Sequence, residues 1–402
     1  MEGEPRFTML ETIREYALER LAEREEVEAL RQAHAAYYLA LGQAAEPELR
    51  GPRQVAWMAR LELEHNNLRA VLAWSQSAAA SDGRAGELGA RLAVAVWEFW
   101  SRRAPLSEGW RWLAGALSQL ALDAPEPEVR RLRAKALSAA GNLAMYRGDG
   151  AAGRTLLEES LALFQELGDS RGTAYVLLNL GVSYQLQGDL GQAERLMEQS
   201  LAIFRTLGDR WGIAWALSYI GWALSSSVAV LVDAASSVDA QDQSGRALVL
   251  LEESLAHFRA VGDSWGIAYA LYWLGSMAAK QGDHRRARVL LAESLGLFHE
   301  MGNKVAVLRG LIEFAGMVAI QAQQRAELER AARLYGAAEA LEDSMIARPE
   351  FGVFGDSAPR APIPVLRTRL GEATFAAAWA EGRAMTLEQA MTLALSLPKA
   401  QV

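Results

Sequence analysis

Tyr175, Trp215 and Tyr269 stand 40 and then 54 residues apart in a chain of 402, and Lys135 lies 40 residues before the first of them. Each is followed two residues later by a leucine (Leu137, Leu177, Leu217, Leu271) and six residues later by a glycine (Gly141, Gly181, Gly221, Gly275). Tyr272, Asn142, Trp222 and Gln185 fall three, seven or ten residues beyond the same column, so helical geometry puts all of them on one face. Aromatic rings with polar tips, repeated along one side, can stack on a ligand while Asn and Gln amides fix its orientation. The candidate ligand-binding residues are therefore Tyr175, Trp215, Trp222, Tyr269, Tyr272, Asn142 and Gln185. The competing reading is that rings at helical spacing pack one hairpin on the next. The leucine column already fills a packing position, which leaves the aromatic column to face a groove.

Bond-breaking chemistry has no comparable support. The five histidines, His34, His65, His257, His284 and His299, do not cluster, and no H-E-x-x-H motif occurs. The absence of cysteine excludes disulfides, thiol nucleophiles and cysteine metal sites. Ser160, Ser200, Ser254 and Ser294 recur in four copies of one segment. A nucleophile is not needed four times, but a small helix-packing residue is. The expectation is a protein that is not an enzyme, with no metal and no cofactor.

The elements that must position the candidates come from that repeated segment. "LEESLALFQELGD" (157–169) returns as "MEQSLAIFRTLGD" (197–209), "LEESLAHFRAVGD" (251–263) and "LAESLGLFHEMGN" (291–303). Leu156, Leu157, Leu161, Phe164 and Leu167 form one helical stripe, with Glu158, Glu159 and Gln165 facing away. Gly-Asp closes units of 20 residues at 148–149, 168–169, 188–189 and 208–209, and again at 262–263 and 282–283. A glycine can end one helix in the left-handed conformation, and the aspartate after it can cap the next. Two units make a hairpin of 40 residues whose apolar stripe is buried only by stacking on other hairpins. In the second hairpin Leu180-Gly181, Tyr184 and Ala193 resemble the tetratricopeptide (TPR) signature. The 40-residue period is similar to the long-helix TPR subclass of large bacterial regulators. The expected fold is all-α, a TPR-like α-solenoid of antiparallel hairpins in a right-handed superhelix.

Domain limits follow from where this pattern holds. Residues 126–345 are the expected solenoid, and the 54-residue step places fourteen extra residues near 223–245, expected to be a dispensable loop insertion. Residues 26–125 are expected to form a helical linker and degenerate hairpins, with 86–102 and 107–121 as one pair. Residues 346–402 are expected to be an irregular connection and C-terminal capping helices, one near 364–382 and one capped by Thr386 and Gln389.

The segment "RFTMLETIREYALERL" (6–21) resembles the end of the winged-helix subdomain of STAND-class (NB-ARC-like) signalling ATPases and transcriptional regulators. The stretches "WMARLELEHNNLRAVLAW" (57–74) and "RAARLYGAAEAL" (330–341) are similar to later parts of such proteins. The resemblance makes 1–25 a remnant of the winged-helix subdomain and the rest a recognition arm that binds a protein, peptide or small-molecule effector in its concave groove. The alternative is a free-standing TPR adaptor that assembles other proteins. No G-x-x-x-x-G-K-[ST] loop occurs, so the nucleotide-binding module is missing from this chain and no ATP hydrolysis by it is expected. Met1 is compatible with a true start and with truncation of a longer ATPase. A net charge of −8, from 41 basic and 49 acidic residues, argues against nucleic acid as a direct partner. No signal peptide or membrane-spanning run is expected, and the expected location is cytoplasmic.

Overall fold

The computed structural model describes residues 11–23, 26–78, 83–103, 105–121, 125–230, 238–345 and 362–396, and their regular structure is entirely α-helical. The N-terminal part contains α1 (Glu11–Glu23), α2 (Val27–Glu48), α3 (Gln54–Leu63), α4 (His65–Ala78), α5 (Gly83–Ala95), α6 (Trp97–Arg102) and α7 (Leu106–Gln119). Four hairpins follow: α8 (Pro127–Tyr146) with α9 (Gly150–Glu166), α10 (Ser170–Leu186) with α11 (Leu190–Leu207), α12 (Arg210–Val230) with α13 (Val238–Val261), and α14 (Ser264–Lys280) with α15 (His284–Glu300). A fifth pair, α16 (Lys304–Gln321) and α17 (Arg325–Asp343), leads to α18 (Pro362–Leu370), α19 (Glu372–Arg383) and α20 (Leu387–Leu395).

Every repeat turn is made as its sequence suggests. Gly148, Gly168, Gly188, Gly208, Gly262, Gly282 and Gly302 all have φ between 64° and 85°, where a side chain is disfavoured. The residue after each (six aspartates and Asn303) accepts a hydrogen bond from the backbone N–H three positions on, at 2.9–3.1 Å. One turn thus ends a helix and caps the next.

Within a hairpin the two backbones approach closely at the small-residue columns. A Cβ on Gly141 would lie 2.9 Å from Leu157 Cγ and 3.0 Å from the Gly153 carbonyl oxygen. The recurrent serines are buried and tie the pair: Ser160, Ser200, Ser254 and Ser294 donate to the carbonyls of Ala134, Ala174, Ala214 and Ala268 at 2.7–2.8 Å. They satisfy their own hydroxyls while filling a small gap, so burial costs little.

Two differences from the sequence expectations stand out. The extra residues of the third hairpin do not begin as a loop: α12 runs on to Val230 and α13 starts at Val238, while 231–237 lie outside the described residues. A helix already nucleated extends by one hydrogen bond per residue, and "ALSSSVAV" holds no proline or glycine to stop it. The single helix expected over 364–382 is two, broken at Gly371 with φ 77°. The C-terminal helices then pack on the last hairpin, with Trp379 stacked on Tyr335 at 6.3 Å and the Thr386–Gln389 capping box present. A continuous apolar core runs from Ala174 to Ala394, and a second core, built on Phe99, Trp100 and Leu113, unites α2 to α8. Residues 1–10 and 346–361, which include part of the expected winged-helix remnant and most of the irregular connection, lie outside the described residues.

Candidate functional site

The first helices of successive hairpins, α8, α10, α12, α14 and α16, line one side of a cavity of about 1350 Å³, and α6 with the end of α2 closes the other. Their register on the cavity follows the repeat. Arg131, Arg171, Trp211, Trp265 and Val305 form one column of lining residues, and Lys135, Tyr175, Trp215 and Tyr269 form the next, one helical turn further on.

The second column serves two purposes. Tyr175 packs edge-on against Phe204 at 4.8 Å, Trp215 against Phe258 at 5.0 Å, and Tyr269 against Phe298 at 4.8 Å, each ring meeting the second helix of its own hairpin. The rings also meet one another, along α12 and across to α10 and α14. Tyr175 lies 5.6 Å from Trp211, Trp211 lies 6.0 Å from Trp215, and Trp215 stacks on Tyr219 at 5.4 Å and reaches Tyr269 at 6.3 Å. The result is an unbroken aromatic wall over three hairpins. Burial raises the pKa of the Tyr175 and Tyr269 hydroxyls above the ordinary tyrosine value and pushes that of Tyr146, also on the cavity, up to about 12. All three stay protonated at neutral pH.

The opposite wall is fastened to this one by charge. Glu98, 3% exposed, accepts from both Arg50 and Arg102 at 2.6 Å. Arg50 lies 4.4 Å over the Trp211 ring and 5.4 Å over Tyr175, and Arg102 lies 5.0 Å over Trp265. Burial works against the Arg50 charge, but Glu98 beside it prevails and its pKa stands above the ordinary arginine value. Gln54 completes the clasp, donating to Asp263 Oδ1 at 3.0 Å and accepting from the Trp265 backbone N–H at 3.1 Å. Asp263 Oδ2 accepts from Trp211 Nε1 at 2.7 Å. Cation–π contacts of desolvated arginines and charge-assisted bonds of this kind hold a wall in place more firmly than neutral ones.

Of the seven candidate residues, the cavity gathers Asn142, Tyr175, Trp215 and Tyr269. Trp215 and Tyr269 are only 7% and 6% exposed, so they form the wall rather than project from it. Trp222, Tyr272 and Gln185 are not among its lining residues. Trp222 stacks on Trp273 at 6.2 Å, Tyr272 is packed near Glu313, and the Gln185 side chain is buried. The lining favours the N-terminal halves of the first helices, and the three outliers lie further along. Trp211 and Trp265 were missed, although their column recurs at the same 40- and 54-residue steps. Arg50, Glu98 and Arg102 carried no repeat signal at all.

Elsewhere, Glu108 gathers His65, Arg69 and Trp112, with His65 Nε2 at 3.0 Å and Arg69 Nε at 2.6 Å. Burial alone would raise the Glu108 pKa. The bonds from Arg69 and Trp112, with the neighbouring positive charge, instead lower it to about 2. This cluster joins α4 to α7, and none of its four side chains lines the cavity. Among the described residues, no group of three or more His, Cys, Asp or Glu side chains is placed to hold a metal ion. No described helix is long and apolar enough to cross a membrane.

Residues 132–206 match the family model of the tetratricopeptide repeat. The fold is an all-α, TPR-like α-solenoid of helical hairpins. Over 186 residues it is 30% identical to the HTH-type transcriptional regulator Mb0914c of Mycobacterium bovis, and equally to Rv0890c of Mycobacterium tuberculosis (strain H37Rv). The match takes in 45% of this chain and 20% of each regulator, so the chain spans about a fifth of their length. Among solved structures, the Rap protein complexed with competence and sporulation factor is similar over 91% of this chain and 97% of that one, with a TM-score of 0.50 and 12% identity. The TPR-like repeats of a kinesin light chain from Podosopora anserina cover 52% of this chain and 95% of their own, with a TM-score of 0.37 and 16% identity. At 12% identity the likeness to the Rap protein is one of fold.

Proposed function

We propose that this solenoid is a non-catalytic interaction module that binds a peptide or protein segment in its concave cavity. The observation that carries this reading is the unbroken aromatic wall beside a cavity of about 1350 Å³. That volume exceeds the roughly 300–1,000 Å³ usual for small-molecule sites, which favours a peptide over a metabolite. Aromatic side chains anchor such contacts with large area and little entropy to lose. The test is selection of binding peptides from a phage-displayed random library against the full chain, followed by titration calorimetry. Affinity is expected to fall about tenfold or more for Tyr175→Ala and Trp265→Ala. Failure to select any peptide, or affinity unchanged in both variants, contradicts the reading.

A second reading assigns the module to a regulator, as the recognition arm of a longer STAND-type transcription factor. The 30% identity to HTH-type regulators over 186 residues supports it, beside the resemblance of "RFTMLETIREYALERL" to the close of a winged-helix subdomain. The deciding observation is the coding sequence upstream of Met1. An in-frame phosphate-loop module supports the arm, and its absence leaves the adaptor reading.

A further inference from the structure

The cavity carries charge opposite in sign to the chain around it. The chain has a formal charge of −8, yet eight cationic and four anionic side chains line the cavity, a local excess of four positive charges. Three of the four carboxylates are already engaged. Glu98 holds Arg50 and Arg102, Glu62 lies 3.3 Å from Arg103, and Asp169 lies 3.2 Å from Arg131. Lys135, Arg147 and Lys304 line the cavity, are exposed, and have no carboxylate within 4 Å among the described residues. Only four lysines occur in the whole chain, at 135, 280, 304 and 399, and two of them are here. Nearly all other positive charge is arginine, much of it paired with glutamate on the surface.

The placement of these charges is ordered. Lys135 and Arg147 belong to α8 and its end, and Lys304 opens α16, while α10, α12 and α14 between them supply the aromatic wall. Unpaired cations therefore bracket an apolar centre. Lysine ammonium groups are hydrated point charges on flexible stems that can meet a carboxylate at little geometric cost. We infer that the cavity receives an acidic linear peptide segment, its carboxylates on the α8 and α16 edges and its apolar side chains on Tyr175, Trp211 and Trp265. This deepens, and rests on, the peptide-binding reading above. A single-stranded nucleic acid also combines stacking with negative charge, but needs cations along its whole backbone track. Here the two central cations, Arg50 and Arg102, are both held by Glu98, which cancels one of their two charges and takes up their donors.

The test uses the full chain and the phage-selected peptides. Selected sequences are expected to be enriched in Asp and Glu beside aromatic or aliphatic residues, and their affinity should fall as salt rises. The double substitution Lys135→Gln with Lys304→Gln should lower affinity about tenfold and flatten the salt dependence, with an unchanged circular dichroism melt. Peptides that lack acidic enrichment but still lose affinity in Tyr175→Ala overturn the charge assignment and leave the peptide-binding reading standing. Selection of no peptide at all overturns both. Acidic peptides indifferent to the lysine pair place the ligand elsewhere. Tighter binding of an oligothymidylate than of any peptide reassigns the cavity to nucleic acid.

Discussion

Asp189 and Asp263 each follow the glycine of a Gly-Asp turn, Asp189 within a hairpin and Asp263 between two hairpins, yet they belong to different kinds of structure. Asp189 is exposed and does one thing, accepting from the Gln192 N–H at 3.0 Å. Asp263 is fully buried, caps α14 in the same way, and also receives Gln54 from 209 residues away and the Trp211 indole. The hairpins are built from short-range instructions that each unit repeats. The junction between the solenoid and its N-terminal helices is built from pairs that no local pattern announces. The first gives a stack of similar units, and the second sets the N-terminal helices across its concave cavity.

The comparison can be broken at several points. The largest effect is expected inside the repeat. A Cβ on Gly212 would lie 2.3 Å from a ring carbon of the fully buried Phe204. Gly212→Ala should cost about 3 kcal/mol by overpacking, read from urea or guanidinium unfolding. Next comes the junction: Asp263→Ala loses a cap and strands Gln54 and Trp211, for about 2.5 kcal/mol. Much of that loss should vanish in a Gln54→Ala background, which a double-mutant cycle measures.

The Glu108 cluster tests the N-terminal helices by pH. Its folded pKa of about 2 lies below the ordinary value of 4.5, so the unfolded state binds the proton first as pH falls. The stabilisation is complete above about pH 5 and is lost as pH drops through about 2. At face value this difference converts to about 3 kcal/mol, and solvent screening of the half-exposed Arg69 reduces it to about 2 kcal/mol. Glu108→Gln should remove this part of the acid sensitivity, and an unchanged acid transition would show that other carboxylates govern it. The smallest effect is Asp189→Ala, a simple cap loss of about 1 kcal/mol. Equal costs for Asp189→Ala and Asp263→Ala would dissolve the distinction between the two regions.

This contrast also explains what was legible in the sequence. The Gly-Asp turns, the serine column and the Thr386–Gln389 box are local signals, and the structure forms each of them. The clasp was invisible because Arg50 and Glu98 are 48 residues apart and ordinary on their own helices. The aromatic wall was legible in part. Counting columns found Tyr175, Trp215 and Tyr269, but periodicity alone cannot say which end of a helix faces the cavity. It therefore carried Trp222, Tyr272 and Gln185 along and passed over Trp211 and Trp265. The length of α12 was concealed by a composition rich in Ser and Ala, which suits a loop and a helix alike.

The central claim is that the concave cavity, rather than the outer surface, holds the ligand. A crystal structure of the full chain with a phage-selected peptide tests it most directly. The account predicts peptide density against Tyr175, Trp211 and Trp265, with acidic side chains near Lys135 or Lys304. Density on the second helices, α9, α11, α13 or α15, with the cavity free of peptide, would contradict it.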